Sequence, residues 1–252
     1  MKRIDIVLTE KNIAKSRSQA QTFINEKRVF VNLKGELTLI TKPSFKIDPE
    51  AEIQLQHSEA DQFVSRGALK LVGALEYSQL DISNFQVLDV GQSTGGFTDC
   101  ALQHGAEKVV GVEVGHDQLD TSLIKDPRVI CLEGVNARNL SVDDLGEHFP
   151  KNGFDLAVMD VSFISQEKIL PQLPELLTDS GHLISLVKPQ FEVGKEGIGK
   201  GGIVKDPNLF KQVEERICHL VKELGLSIQS YTESPIKGGD GNREFLLWAK
   251  KE

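Results

Sequence analysis

Apolar and polar positions alternate in short runs over the first part of the chain. The segment 16–28 carries its apolar residues at helical spacing, and Ser16 is suited to cap the start of that helix. Shorter alternating runs with turn residues between them then predict a small sheet. These runs are 29–33, 36–40 and 51–56. The pattern predicts a compact α+β domain over residues 1–57.

Residues 58–64 lack apolar periodicity and are predicted to be a linker, and a second domain is predicted over 65–252. In this second domain strand-like runs alternate with helical stretches, which predicts a doubly wound, mostly parallel α/β sheet. The predicted strands are 86–90, 108–114, 128–133, 154–160, 182–188, 226–232 and 244–250. The predicted helices are one after Ser65 and those at 96–104, 165–178 and 206–224. A short glycine-rich connection before the seventh strand predicts that this strand runs antiparallel.

Charge is distributed unevenly along the chain. The whole chain carries a net charge of −8, but residues 1–47 hold ten Lys/Arg and four Asp/Glu, a balance of +6, which leaves −14 for the rest. A basic region on an acidic protein is typical of a nucleic-acid-binding arm, although a solvated basic surface without a partner would look the same.

No run of 18 apolar residues is present, so no membrane span is expected. The three cysteines are far apart and lack metal-ligand spacing. This pattern favours reduced thiols in a cytoplasmic protein, and no metal is expected.

A glycine-rich turn lies between the first strand and the first helix of the second domain, the place where open sheets bind ligands. Its sequence from Gly91 to Gly96 is GQSTGG, which departs from the dinucleotide pattern G-x-G-x-x-G. A phosphate-binding loop is unlikely as well, because Phe97 and Thr98 stand where that loop needs Lys followed by Ser or Thr.

The same turn fits G-x-S-x-G, the nucleophile elbow of a serine hydrolase, with Ser93 as the nucleophile. Such a hydrolase needs an acid and then a histidine later in the chain. None of the later histidines both follows a suitable acid in the chain and lies on a predicted loop near the turn. They are His104, His116, His148, His182 and His219.

Acidic residues at successive strand ends favour S-adenosylmethionine as the ligand of this turn. Asp89 precedes the glycines, and Glu113 ends the next strand, where a carboxylate can accept hydrogen bonds from both ribose hydroxyls. Glu133 and Asn136 follow the third strand and are expected to line the adenine. The predicted cofactor-binding residues are Asp89, Gly91, Ser93, Thr94, Gly95, Gly96, Phe97, Glu113, Glu133 and Asn136.

Four ionisable residues are expected at the same edge of the sheet. Asp160 and Lys188 end the fourth and fifth strands, Glu244 opens the seventh, and Lys70 lies on the helix before the first strand. Charged residues at strand ends are often only solvated, but the convergence of four favours an active site.

Motifs spread over nearly the whole chain are similar to those of the TlyA, or haemolysin A, family of ribosomal RNA 2′-O-methyltransferases, whose catalytic domain resembles the FtsJ methyltransferase. These motifs include SRSQAQTFI, SRGALKL, LDVGQSTGGFTD, MDVSFIS, LVKPQFEVG and GGDGNREFLL. The resemblance implies a class I, Rossmann-like methyltransferase domain, an N-terminal ribosomal-protein-like RNA-binding domain, and ribosomal RNA or ribosomal subunits as partners, with a cytidine as the target.

The resemblance also assigns residues. The family's Lys-Asp-Lys-Glu catalytic tetrad falls on Lys70, Asp160, Lys188 and Glu244. Two positions depart from the family pattern: Gln92 replaces the usual Ala, and Ala68 replaces a frequent Gly. Gln92 is expected to change how the cofactor loop packs, and the affinity for the cofactor is the property that this change would affect. The basic residues expected to contact RNA are Arg3, Arg17, Lys27 and Arg28.

A ribose hydroxyl is a very weak acid, so its methylation requires groups that help it to become a nucleophile. Such a tetrad could supply them. A desolvated lysine can act as the base or stabilise the developing oxyanion, and two carboxylates can hold the lysines in place. Two other functions stay open: an RNA-binding or ribosome-assembly factor without catalysis, and the hydrolase that uses Ser93. A membrane-lysing role finds no support in an apolar span or a basic amphipathic helix.

Overall fold

The computed structural model describes all residues from Met1 to Glu252. The chain forms two compact units, Met1–Glu59 and Ala60–Glu252. The division between them falls inside the segment 58–64 that was predicted to be the linker, and a single 3-10 turn, Glu59–Gln62, spans it.

The N-terminal unit packs two helices with two small antiparallel sheets. Its elements are β1 (Lys2–Arg3), α1 (Ile4–Glu10), α2 (Arg17–Asn25), β2 (Val29–Leu33), β3 (Glu36–Leu39), β4 (Lys46–Ile47) and β5 (Ile53–Leu55). Strand β2 pairs with β3 and β5, and β1 pairs with β4. Helix α2 begins as predicted, because the side chain of Ser16 accepts a hydrogen bond from the backbone N–H of Gln19.

Helix α1 is an element that the sequence analysis did not predict. Ile4, Val7 and Leu8 are spaced three and four positions apart and are all buried, which is the helical pattern in its shortest form. The pattern spans only two turns, too few for periodicity alone to distinguish it from a strand. The helix is stabilised by packing in the core of this unit rather than by its length.

The second unit contains a seven-stranded sheet in the order β11-β12-β10-β9-β6-β7-β8. All neighbouring strands are parallel except β12, which runs antiparallel to both β10 and β11, as predicted. The elements are α3 (Ala68–Ser78), β6 (Gln86–Val90), α4 (Gly96–Gln103), β7 (Lys108–Glu113), α5 (Thr121–Ile124), β8 (Val129–Glu133), α6 (Val142–Leu145), β9 (Phe154–Met159), β10 (Leu177–Val187), α7 (Pro207–Glu223), β11 (Leu226–Glu233) and β12 (Phe245–Lys251).

The helix predicted at 165–178 is wrong. Pro171 and Pro174 lack the backbone N–H that a continuing helix needs, so the segment forms three short 3-10 turns instead. The strand that follows then begins at Leu177, earlier than predicted, with an irregular register between Leu177 and His182.

Each face of the sheet buries its own apolar core. Helices α3 and α4 cover one face, where Leu71 and Ala101 pack with Leu156 and Val158 of β9. Helix α7 covers the other face, where Ile217 packs with Ala157 and Met159 of β9. This arrangement leaves the carboxyl ends of β6, β7, β9 and β10 at one open edge.

Candidate active site

The four ionisable residues predicted for the sheet edge lie in contact with one another. The Nζ atom of Lys70 lies 2.7 Å from Oε2 of Glu244 and 3.7 Å from Oδ2 of Asp160. The other carboxylate oxygen of Asp160, Oδ1, lies 2.5 Å from Nζ of Lys188. Asp160 therefore bridges the two lysines, and the tetrad forms one continuous chain of alternating charges.

Each member of the tetrad is held by a different element. Asp160 and Lys188 directly follow β9 and β10, while Glu244 directly precedes β12, whose antiparallel direction brings its first residue to the same edge. Lys70 lies on α3. Lys70, Lys188 and Glu244 are buried, and Asp160 is partly exposed toward a cleft. Charges this poorly solvated interact strongly with one another and with any charge that develops beside them.

Two further polar residues contact the tetrad and were not predicted as site residues. Nζ of Lys188 donates a hydrogen bond to Oγ of Ser162 at 2.8 Å, and Nε2 of Gln190 donates to Oε1 of Glu244 at 3.4 Å. Both residues lie two positions beyond a tetrad member on its loop. That proximity is the only signal in the sequence that could have identified them.

The glycine-rich turn lies directly beside the tetrad. Gly91 has φ +83°, and a Cβ atom at this position would lie 2.7 Å from the carbonyl oxygen of Asp160, so no other residue fits. Ser93 also has a positive φ, +48°, and its backbone N–H donates to Oε2 of Glu113 at 2.9 Å. Glu113 thus fixes the turn through one oxygen while its other oxygen accepts from the N–H of Gly115.

A cleft of about 640 Å³ opens on one side of this turn, within the range of roughly 300–1,000 Å³ typical of small-molecule sites. Its lining includes Glu113, Asn136, Asp160 and apolar side chains such as Val135 and Ile169. A carboxylate at a strand end beside an apolar slot suits the ribose and adenine of S-adenosylmethionine, because Glu113 keeps unused lone pairs for ribose hydroxyls. The residues that line the cleft therefore fit this cofactor.

A smaller recess of about 160 Å³ joins the turn to the tetrad. It is lined by residues of the turn on one side and by Asp160 and Lys188 on the other. The predicted loop residues that line it are Gly91, Ser93, Thr94, Gly96 and Phe97. Gly95 does not line it: a Cβ atom at this position would clash with the side chains of Leu119 and Leu123. The recess thus connects the cofactor loop to the buried charges.

Besides Gly95, two predicted cofactor-binding residues line neither cavity. Asp89 is buried, and Oδ2 of its carboxyl accepts a 2.6 Å hydrogen bond from Oγ1 of Thr98. Burial raises the pKa of Asp89 to about 7, although that hydrogen bond opposes the shift. Glu133 accepts from the N–H of Asp117 and contacts His116. The sequence placed both carboxylates at strand ends correctly, but it does not show that neither side chain lines a cavity.

The arrangement around Ser93 does not support a hydrolase. Its hydroxyl donates to Oε1 of Gln118 at 3.1 Å, and no histidine is hydrogen-bonded to it. A serine nucleophile requires a base within hydrogen-bond reach, and the side chain of Gln118 is not a base.

Phe163 is an aromatic residue on the rim of the cleft that the sequence analysis did not single out. It is 89% exposed, has φ +62°, and its ring centroid lies 5.1 Å from that of Phe191. A bulky residue in the left-handed region is a strained exception, and such strain is concentrated at functional sites. Nζ of Lys188 in turn lies 6.0 Å from the centre of the Phe191 ring.

The four basic residues predicted to bind RNA differ in their surroundings. Lys27 and Arg17 are exposed and Arg3 is partly exposed, although both arginines are ion-paired with the buried carboxylate of Asp5. Arg28 is buried: its guanidinium stacks on Phe23 and donates to the backbone carbonyl of Gln56. Arg28 follows the end of α2, so the helical periodicity that placed it on an outer face does not apply to it.

No helix of the protein combines the length and the apolar character that crossing a lipid bilayer requires. Nor does any group of three or more His, Cys, Asp or Glu side chains lie in an arrangement that could hold a metal ion.

Two family descriptions match this chain: residues 63–251 match the FtsJ-like methyltransferases, and residues 2–53 match the S4 domain. Relatives resemble it along nearly its whole length. The 16S/23S rRNA (cytidine-2′-O)-methyltransferase TlyA of Mycobacterium tuberculosis is 38% identical over 250 residues, covering 99% of this chain and 90% of the relative. Hemolysin A of Brachyspira hyodysenteriae is 36% identical, covering 97% and 98%.

Solved structures resemble it as well. A Streptococcus thermophilus chain described as a candidate hemolysin superimposes with a TM-score of 0.76 at 38% identity, covering 99% of this chain and 88% of that one. An S-adenosylmethionine-dependent methyltransferase of Mesorhizobium loti superimposes with a TM-score of 0.53 at 14% identity, covering 72% and 98%. The second likeness concerns the fold of the catalytic unit alone.

Proposed function

This chain belongs to the FtsJ-like methyltransferase family, and we propose on that premise that it methylates the 2′-hydroxyl of a cytidine in ribosomal RNA. The observation that carries the proposal is the tetrad, in which Asp160 bridges Lys70 and Lys188 beside the recess that leads to the cofactor cleft. A reaction that creates negative charge on a sugar oxygen needs such buried, prearranged cations.

S-adenosylmethionine, when bound, supplies a methyl group that its sulfonium already activates. The residues proposed to hold it are those that line the two cavities. Glu113 would accept hydrogen bonds from the ribose hydroxyls, and Asn136, Val135 and Ile169 would surround the adenine. The backbone of Gly91 and Ser93 would contact the remaining part next to the tetrad.

Lys188 is assigned to the target hydroxyl. It is the lysine that lines the recess, and Asp160 and Ser162 orient its Nζ from two sides. Lys188 would take up the proton that the hydroxyl releases as the sugar oxygen bonds to the methyl carbon and the carbon–sulfur bond of the cofactor breaks. The ammonium so formed, paired with Asp160, would stabilise the negative charge that develops on the oxygen. Lys70 and Glu244 form the second pair, which fixes Asp160 from the other side.

The rim of the cleft supports a nucleotide as the substrate. A single nucleotide that enters the recess must leave its stack, which costs a few kcal/mol, about what stacking of one base on an aromatic ring returns. Phe163 presents an exposed ring next to Ser162 and is the residue that we assign to the base.

The N-terminal unit is proposed to dock on folded ribosomal RNA, as its S4 match and the positive balance of residues 1–47 indicate. We assign phosphate contacts to Arg3, Arg17 and Lys27 and withdraw Arg28, which is buried. Residues 58–64 are retained as the proposed linker, and the cytoplasm, where ribosomal RNA is found, as the proposed location.

The experiment that tests the function is incubation of the protein with unmodified ribosomal RNA and methyl-labelled S-adenosylmethionine, followed by alkaline hydrolysis. A 2′-O-methyl group blocks cleavage of the adjacent phosphodiester, so we expect label in one alkali-resistant dinucleotide that contains cytidine. An RNA fragment synthesised with that methyl group already in place is the control and should take up no label.

Label in an alkali-sensitive or base-modified nucleotide would refute ribose methylation. Binding of S-adenosylmethionine without transfer to any ribosomal RNA would instead indicate the RNA-binding assembly factor that has lost catalysis.

A further inference from the structure

Gln92 is a polar residue buried within the glycine-rich turn, although the turn itself lies at the surface of the cavities. It is 3% exposed. Its side-chain amide lies over Gly111 of β7, where a Cβ atom would come within 2.0 Å of its Cδ. Gly111 therefore provides the space that Gln92 fills, and a side chain at position 111 would displace the Gln92 amide.

The amide of Gln92 also belongs to a buried hydrogen-bond chain. Its Nε2 donates to Oγ1 of Thr98 at 2.9 Å, and that hydroxyl donates to Oδ2 of Asp89 at 2.6 Å. The chain joins the end of β6, the turn and helix α4. Two buried oxygens of the chain, Oε1 of Gln92 and Oδ1 of Asp89, have no hydrogen-bond partner. The chain therefore restrains the surrounding backbone through its two hydrogen bonds and through packing.

The backbone next to Gln92 needs such restraint. Ser93 adopts a positive φ that is unfavourable for a residue with a side chain, and it persists only where its surroundings impose it. The carbonyl of Gln92 accepts from the N–H of Gly95 at 2.8 Å, and the N–H of Ser93 binds Glu113. The position of Gln92 thus sets the direction of Ser93 and of the carboxylate assigned to the cofactor ribose.

We propose that Gln92 is a positioning residue for S-adenosylmethionine: its buried amide, seated over Gly111 and bonded to Thr98, holds the turn and Glu113 in the cofactor-binding arrangement before the cofactor arrives. The identity of the cofactor rests on the function proposed above. A loop that is already ordered loses less conformational entropy on binding, so its ligand binds more tightly.

Two variants separate the contributions of Gln92. Gln92→Ala empties the space over Gly111 and removes the hydrogen bond, whereas Gln92→Met keeps most of the volume and removes only the hydrogen bond. Calorimetry with S-adenosylhomocysteine should show about tenfold weaker binding for Gln92→Ala, equal to about 1.4 kcal/mol, and a smaller loss for Gln92→Met. The KM for S-adenosylmethionine should rise in parallel, while kcat at saturating cofactor changes less than about twofold.

A second-site variant tests the packing directly. Gly111→Ala alone should weaken binding, because the new methyl group displaces the Gln92 amide. In the double variant Gln92→Ala/Gly111→Ala the methyl group occupies vacated space, so binding should be tighter than in Gly111→Ala alone. Faster hydrogen exchange at the Ser93 amide in cofactor-free Gln92→Ala would report the loosened turn.

Unchanged affinity of Gln92→Ala and Gln92→Met, with only a lower stability of the fold, would overturn the proposal, and so would a loss confined to kcat. Absence of binding by the unsubstituted protein would overturn it as well. Binding by that protein without methylation of ribosomal RNA would refute the proposed function and leave the role of Gln92 standing.

Discussion

The two units each place a carboxylate between two cations, but they bury opposite partners. In the N-terminal unit Asp5 is fully buried, whereas the side chains of its partners Arg3 and Arg17 are 40% and 56% exposed. In the tetrad both lysine side chains are only 10% exposed, and Asp160, at 22%, is the member that is open to the cleft.

This difference distinguishes an ion pair suited to a structural role from one suited to the catalytic role proposed for the tetrad. Arginine keeps its charge at any ordinary pH and, when exposed, is largely solvated, so the cluster around Asp5 can hold α1 and α2 together but cannot exchange a proton. Lysine can exchange one, and withdrawal from water strengthens its effect on a neighbouring oxygen. Proximity of opposite charges is therefore insufficient to identify a catalytic site; residue type and burial decide.

The largest expected effect is on the tetrad. Replacing Lys188 by Ala removes the group assigned to the target hydroxyl, and methyl transfer to ribosomal RNA should slow by about 10²–10⁴-fold, as for other proton-transfer groups. Lys188→Arg keeps a cation that cannot take up a proton, so it should also be strongly impaired. Single-turnover transfer of labelled methyl measures both.

Lys211→Ala is the matched control for these variants, because Lys211 is exposed on α7 and should leave the rate unchanged. Transfer by Lys188→Ala at the unsubstituted rate would remove Lys188 from the mechanism.

An intermediate effect is expected in the cluster around Asp5. Its hydrogen bonds from Arg3 and Arg17 hold the pKa of Asp5 well below its ordinary value, so the carboxylate stabilises the N-terminal unit above about pH 4, and this contribution is lost as the pH falls. Asp5→Asn should cost about 1–3 kcal/mol at neutral pH and reduce the acid sensitivity. Native-state hydrogen exchange of α1 and α2 measures this loss of stability and its dependence on pH.

The exposed residue Glu36 provides the control for that variant, since Glu36→Gln should leave the exchange of both helices unaltered. If Asp5→Asn exchanged as slowly as the unsubstituted protein, the cluster would have no structural role.

Asp89 should show the opposite dependence on pH. Because burial raises its pKa to about 7, the folded state retains a proton that the unfolded state loses near pH 4. The stability of the catalytic unit should therefore decrease from about pH 4 to pH 7, by at most about 1.4 kcal/mol per pH unit from this group. Asp89→Asn, which cannot ionise, should flatten that slope in urea unfolding. Equal slopes in both proteins would exclude the shift.

The smallest effect is expected at the two adjacent basic residues Lys27 and Arg28. Lys27→Gln should reduce the slope of RNA affinity against salt concentration by about one unit, with little change in stability. Arg28→Gln should lower the stability of the N-terminal unit without that change in slope, because its guanidinium is engaged with Phe23 and Gln56. The reverse result would restore Arg28 as an RNA contact.

Most of the sheet was predictable because its strands are apolar on both faces and bounded by turn residues. Strand β6 begins and ends as predicted, and the glycine-rich connection correctly indicated the direction of β12. Prediction was wrong at 165–178, where apolar spacing continues through two prolines that exclude a helix. It also missed α1, where the apolar pattern is too short to identify a period.

For the site, position at a strand end was predictable and side-chain direction was not. The structure brings the predicted tetrad together, but Asp89 and Glu133 line neither cavity and are hydrogen-bonded to Thr98 and Asp117. The fit of Gln92 over Gly111 depends on two residues from different strands, a coincidence that a single sequence does not display.

The placement of β12 inside the sheet has a consequence for how the enzyme matures. Glu244 reaches Lys70 only after the last strand in chain order has inserted between β10 and β11. Pairing over such a sequence distance is slow to form. Without that strand in place Lys70 has only Asp160 as a carboxylate partner, so the tetrad is complete only when β12 is paired on both sides.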